Sequence, residues 1–165
     1  FKEVIEGETA QLGRSHPSTL LSVGNYASLL QKEGTVEALA EAKPLYKQVI
    51  EGETAHYGRS HVSTLQSVGN YANLLRLQGT AEALAEAKLL YKEAIEGLTS
   101  HQGHSHPVTL FNVGGYADAL KQEGTPQALA EADVLLREAV VGFEAQFPAS
   151  HPLVVWAKGG CVGTF

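Results

Sequence analysis

One stretch of this chain returns at a fixed spacing, and that recurrence limits the possible folds more than any other feature. Ser15 to Arg59 reads SHPSTLLSVGNYASLLQKEGTVEALAEAKPLYKQVIEGETAHYGR, and the pattern comes back every 45 residues. His16, His61, His106 and His151 mark the register, as do Gly34, Gly79 and Gly124. Residues 1–45 and 46–90 agree at 33 of 45 positions. Self-similarity at such a period signals stacked supersecondary units, none able to bury its apolar face alone.

Each unit reads as two helices. Ser15-His16-Pro17 opens the first: serine or histidine supplies the cap, and proline follows where its missing N–H costs nothing. Leu20, Val23, Ala27 and Leu30 then fall on one helical face, with Tyr26 beside them. Gly34 ends the helix, where a left-handed backbone is cheapest for glycine. Ala38, Ala42, Leu45, Val49 and Ile50 form the stripe of the second helix, the alanines allowing close helix approach. Pro126 fits only if it lies in the first turn of a second helix. Gly24 and Gly69 in the first helices, and Gly52, Gly97 and Gly142 in the second, each cost about 1 kcal/mol against alanine. They mark either close backbone packing in a continuing helix or an early stop near Gly52.

These boundaries place repeats at 15–57, 60–102 and 105–147. Residues 1–10 align with the second helix of a unit whose first helix is missing, which predicts that they were cut from something longer. Residues 151–165 read as a partial or atypical terminal repeat. His151-Pro152 keeps the register, but Lys158-Gly159-Gly160-Cys161 makes a poor helix interior, and Val154-Val155-Trp156-Ala157 is too apolar for a polar end cap. That favours truncation over a cap.

Composition narrows the function. With 44% hydrophobic and 18% charged residues, the chain is ordinary for a folded protein. Its net charge of -6 and the lack of a Lys/Arg cluster argue against nucleic acid as a partner. No apolar run reaches the roughly 18 residues of a membrane span, so direct membrane insertion is not expected. Cys161 is the only cysteine, excluding an internal disulfide framework or thiolate metal cage.

The residues offer little chemistry. The periodic histidines could ligate zinc only if several converged on one ion, and stacked helices hold equivalent positions roughly 8–10 Å apart or more. Capping or loop packing explains them better, so neither metal nor cofactor is expected. Ser15-His16 and Ser60-His61 are adjacent in sequence, which does not orient a nucleophile, and no phosphate-loop or dinucleotide fingerprint occurs. An enzyme is not expected. The tyrosines at 26, 46, 71, 91 and 116 read as packing residues whose phenolic ends reach bound peptide or water.

The unit resembles the tetratricopeptide repeat, most closely the kinesin light chain type. The likeness rests on Glu33-Gly34 or Gln78-Gly79, then Glu41-Ala42-Lys43-Pro44-Leu45-Tyr46, then Leu12-Gly13-Arg14-Ser15-His16-Pro17, and Asn25-Tyr26-Ala27. It covers about residues 1–152 and implies an all-α fold, a right-handed superhelical solenoid of antiparallel helix pairs. The unit departs from that family's usual length by three extra residues within Thr35–Glu41, which either widen the loop or lengthen the second helix. Ala38 and Leu39 favour the longer helix.

The resemblance also implies that first helices line a concave surface. That surface would carry Leu21, Asn25, Ser28 and Lys32, then Gln66, Asn70, Asn73 and Arg76, then Phe111, Asp118 and Lys121, with Gly24, Gln31, Gly69, Leu77 and Gly115 among them. Spacing alone places 21, 25, 28 and 32 on a face largely opposite Val23 and Leu30. The amides of Asn25 and Asn70 would meet a peptide backbone; otherwise these are polar surface residues or bonds between repeats. Gly115 removes the third amide. The expected function is a non-catalytic module binding a peptide or helical segment of another protein. The alternative is a structural scaffold or spacer in a larger chain or complex, using its ends and convex face. Cytoplasmic residence is expected from the composition, the lone cysteine and the resemblance.

Overall fold

A computed structural model describes residues 1–159. Among these, eight α-helices and no strand occur. They are α1 (Lys2–Leu12), α2 (Pro17–Glu33), α3 (Val36–Tyr57), α4 (Val62–Gln78), α5 (Ala81–Gln102), α6 (Pro107–Glu123), α7 (Pro126–Glu144) and α8 (Pro152–Gly159). Consecutive helices pack together, and the first helices α2, α4 and α6 also touch in succession. The result is an all-α solenoid of paired antiparallel helices. Gly160 and Cys161, read above as part of a poor helix interior, lie outside the described residues.

The links explain why helices form where they do. His16, His61 and His106 are the N-caps of the first helices; each Nδ1 accepts from the backbone N–H two residues on, at 3.2–3.3 Å. The same bond joins His151 to Leu153 N at 3.3 Å. Histidine, rather than the preceding serine, is therefore the cap. Thr19, Thr64 and Thr109 are not of the apolar stripe's residue types, yet all three are fully buried. Each hydroxyl donates to the carbonyl of Gly13, Gly58 or Gly103 at 2.9–3.1 Å, tying the loop to the helix it precedes. Thr35, Thr80 and Thr125 cap the second helices through the N–H three residues on, each at 3.2 Å.

Only Gly34 and Thr35 separate α2 from α3. The three additional residues of the unit thus lengthen the second helix, which spans 22 residues in α3 and again in α5. Pro126 sits in the first turn of α7. Pro44 lies inside α3, where its missing N–H leaves a rung of the helix unmade; its side chain is exposed.

The second helices do not stop at their glycines. A Cβ on Gly52 would come within 2.6 Å of Leu20; on Gly97 or Gly142 it would lie 2.5 Å from Leu65 or Leu110. Each leucine is almost wholly buried against its glycine, so the absent side chain sets how closely the paired helices approach. The core is continuous from α2 to α7 through Ala27, Ala42, Tyr46, Val68, Ala72, Leu75, Ala87, Tyr91 and Ala117. A second cluster, Leu110, Val113, Ala139, Phe143, Val154 and Ala157, seats α8 on α6 and α7.

Candidate peptide-binding groove

The first helices line a trough with two cavities that share Gln66 and Asn70. One, about 250 Å³, lies among α2, α3 and α4 and is bordered by Leu21, Asn25, Ser28, Tyr46, Glu53 and Ser67. The other, about 340 Å³, lies among α4, α6 and α8 and is bordered by Pro107, Val108, Phe111, Asn112 and Leu153. The first wall is largely polar, the second mostly apolar.

The expected groove residues fall into two groups. Leu21, Asn25, Ser28, Gln66, Asn70 and Phe111 border the trough. Leu21 is 67% exposed, and Asn25 and Asn70 are exposed with no hydrogen bond to the described residues. Ser28 shares a hydrogen bond with the buried Tyr46 hydroxyl at 3.1 Å. Asn73, Arg76, Asp118, Lys32 and Lys121 border neither cavity. Asn73 Oδ1 instead accepts from Arg76 Nε at 3.1 Å and Nη2 at 2.9 Å, and from the Tyr91 hydroxyl at 3.4 Å. Three-residue spacing on one helix turn brings that amide and guanidinium together.

Asp118 is only 6% exposed, which corrects its placement on an open surface. α6 is covered more completely than α2, because Trp156 and Val154 of α8 pack against its side chains and the Tyr91 ring fills the space at Gly115. A Cβ at Gly115 would lie 2.6 Å from the Tyr91 hydroxyl, so the third amide of the sequence pattern has no room there. Lys32 and Lys121 are exposed near the C-terminal ends of α2 and α6, beyond the cavities.

The tyrosines divide likewise. The hydroxyls of Tyr26, Tyr71 and Tyr116 donate to Glu41, Glu86 and Glu131 at 2.8, 3.3 and 3.0 Å. Lys2, Lys47 and Lys92 lie 5.4–5.9 Å over the same three rings. These phenols are therefore used between helices rather than presented to a ligand. Burial, with the Glu86 carboxylate beside it, pushes the Tyr71 phenol far above its ordinary range. Arg59 forms an ion pair with Glu93 at 2.6 Å, binding its inter-repeat loop to the following second helix, and in the equivalent place His104 Nε2 lies 2.8 Å from Glu138 Oε1.

Two groove features escaped the sequence reading. Glu53 stands where Leu98 and Phe143 stand one and two units later, a difference visible only when the units are aligned. Phe111 stacks on Trp156 at 5.3 Å, a contact between repeats that no local pattern announces. Among the described residues no group of three His, Cys, Asp or Glu could hold a metal ion, and no helix is long and apolar enough to cross a membrane.

No family profile and no curated protein matches the sequence. Solved structures do match. The nearly identical TPR-like repeats of a predicted kinesin light chain from Podosopora anserina superpose with a TM-score of 0.72 at 23% identity, covering 96% of this chain and 71% of that one. A point variant of the same protein gives a TM-score of 0.74 over the same shares at the same identity. This chain therefore shares the fold of those TPR-like repeats, an all-α solenoid of paired antiparallel helices.

Proposed function

We propose that the chain is a non-catalytic interaction module that holds an extended segment of another protein along the face of its first helices. Solenoids present such surfaces because each repeat adds one helix to a common wall. The observation that carries the reading is the continuous trough in which Asn25 and Asn70, one repeat apart, are exposed and unbonded to the described residues. An amide offers both a donor and an acceptor, the pair a peptide unit needs. Packed helices lie about 8–10 Å apart. An extended chain covers that in about three residues at roughly 3.3 Å each. Successive amides would thus address backbone groups about three residues apart while side chains enter the cavities between them.

The test is a display selection of random linear peptides on the whole chain, followed by affinity measurement on the Asn25→Ala, Asn70→Ala double variant. Two lost charge-neutral hydrogen bonds should weaken binding about tenfold, at roughly 0.5–1.5 kcal/mol each. Unchanged binding of every selected peptide would move the contact to the ends or convex face, as a scaffold or spacer would use them.

A further inference from the structure

Position 53 is the one place where the repeat exchanges a core residue for a charge inside the trough. Its counterparts Leu98 and Phe143 are fully buried. Glu53 is half-buried instead, and the register of α1 carries Glu8 there. Glu53 borders the polar cavity of about 250 Å³ and a neighbouring one of about 320 Å³ toward Pro17, Ser18 and Tyr57. Ser67 lies on the same cavity wall and favours the charged carboxylate, but Oε2 is buried with no hydrogen-bond partner. No lysine or arginine among the described residues forms an ion pair with it, and His61 is the one ionisable neighbour that favours its charge.

A carboxylate removed from water without a counter-charge is costly, and an arriving cation recovers that cost. The cavity is smaller than the roughly 300–1,000 Å³ of a pocket for a whole small molecule, and suits one long side chain. The chain's net charge of -6 draws basic segments toward it.

We propose that the trough among α2, α3 and α4 selects an arginine or lysine side chain from an extended segment of a partner protein, with Glu53 as its counter-charge. This rests on the groove reading above. Leu21 covers the aliphatic stem, Ser63, Ser67 and Gln66 surround the head group's path, and Asn25 and Asn70 hold the backbone on either side. The adjoining cavity, walled by Phe111, Val108 and Leu153, takes an apolar residue of the same segment.

The experiment uses the selected linear peptides as probes. Wild-type protein should enrich a basic residue at one position. A synthetic peptide carrying it should bind at least tenfold more weakly to Glu53→Leu and to Glu53→Gln, and equally well to Glu51→Gln, an exposed carboxylate on the same helix. Replacing the basic residue by norleucine should cost as much on wild type and nothing further on Glu53→Leu, the non-additivity of a direct pair. Leucine already occupies this register at Leu98, and Glu53→Gln keeps the size, so folding is checked by melting each variant. Peptides that need Asn25 and Asn70 but carry no basic residue and ignore Glu53→Leu would overturn this inference and leave the groove standing. Failure to enrich any peptide sensitive to the asparagines would overturn both.

Discussion

The two halves of the trough have one backbone plan and different chemistry, the first more polar and the second more apolar. Between α2 and α4 the wall carries Asn25, Ser28, Ser67 and Glu53; between α4 and α6 it carries Val108, Phe111 and Leu153. The difference follows a few register positions. Leu21, Gln66 and Phe111 are equivalent, as are Glu53, Leu98 and Phe143, and Ser22, Ser67 and Asn112. The paired-helix plan is common to both halves, so substitution at these sites changes the chemistry of the wall on a shared scaffold. A repeat array can in this way place a more polar and a more apolar cavity side by side.

The apolar half should be the more easily broken. Phe143 is fully buried against Trp156 at 6.3 Å between ring centres and Phe147 at 6.4 Å. Phe143→Ala should cost about 3–5 kcal/mol in thermal or denaturant unfolding. A loss under about 1 kcal/mol would mean that α8 does not rest on this cluster.

Equivalent glycines sharpen the contrast. A Cβ at Gly114 would fall 2.2 Å from the Trp156 ring, whereas at Gly24 the nearest atom is Val49 Cγ2 at 3.8 Å. Gly114→Ala should therefore destabilise by about 1–3 kcal/mol and shift the fluorescence of Trp156, the only tryptophan. Gly24→Ala should instead gain up to about 1 kcal/mol from helix propensity. Equal effects in melting experiments would show that the first helices approach each other alike in both halves.

The smallest effect concerns pH. Burial raises the Glu53 carboxyl above its ordinary value, and Ser67 and His61 oppose that rise without cancelling it. The native state then binds the proton more tightly than the unfolded chain. Stability contributed by this group is present at low pH and falls as pH rises from the ordinary glutamate range to the raised native value. Glu53→Gln should accordingly gain on wild type across that interval and hold a constant advantage above it. Melting curves from pH 4 to pH 8 read the difference; a gap that shrinks as pH rises would mean that the carboxylate is stabilised rather than strained.

Much of this architecture can be read before any coordinates. The register of His16, His61, His106 and His151, the helix ends at Gly34, Gly79 and Gly124, and the stripe of Leu20, Val23, Ala27 and Leu30 all follow from local periodicity. The added residues near Ala38 joined the helix because their propensity favours it and Thr35 caps it. Part of the trough was readable too, since Asn25 and Asn70 lie off the apolar face. Asn73 and Asp118 share the same helical face as those amides, yet Asn73 is taken up by Arg76 and Tyr91, and Asp118 is covered.

The amino-acid order alone thus settled the repeating unit, its helices, its caps and its buried stripe, because those depend on interactions a few residues apart. Which polar residues remain open to a partner was settled by packing between units. Tyr91 reaching into the space at Gly115, Trp156 filling the space at Gly114, and Leu20 closing on Gly52 join residues 24 to 42 positions apart. Such contacts depend on how one repeat is rotated against the next, and no short-range pattern encodes that angle.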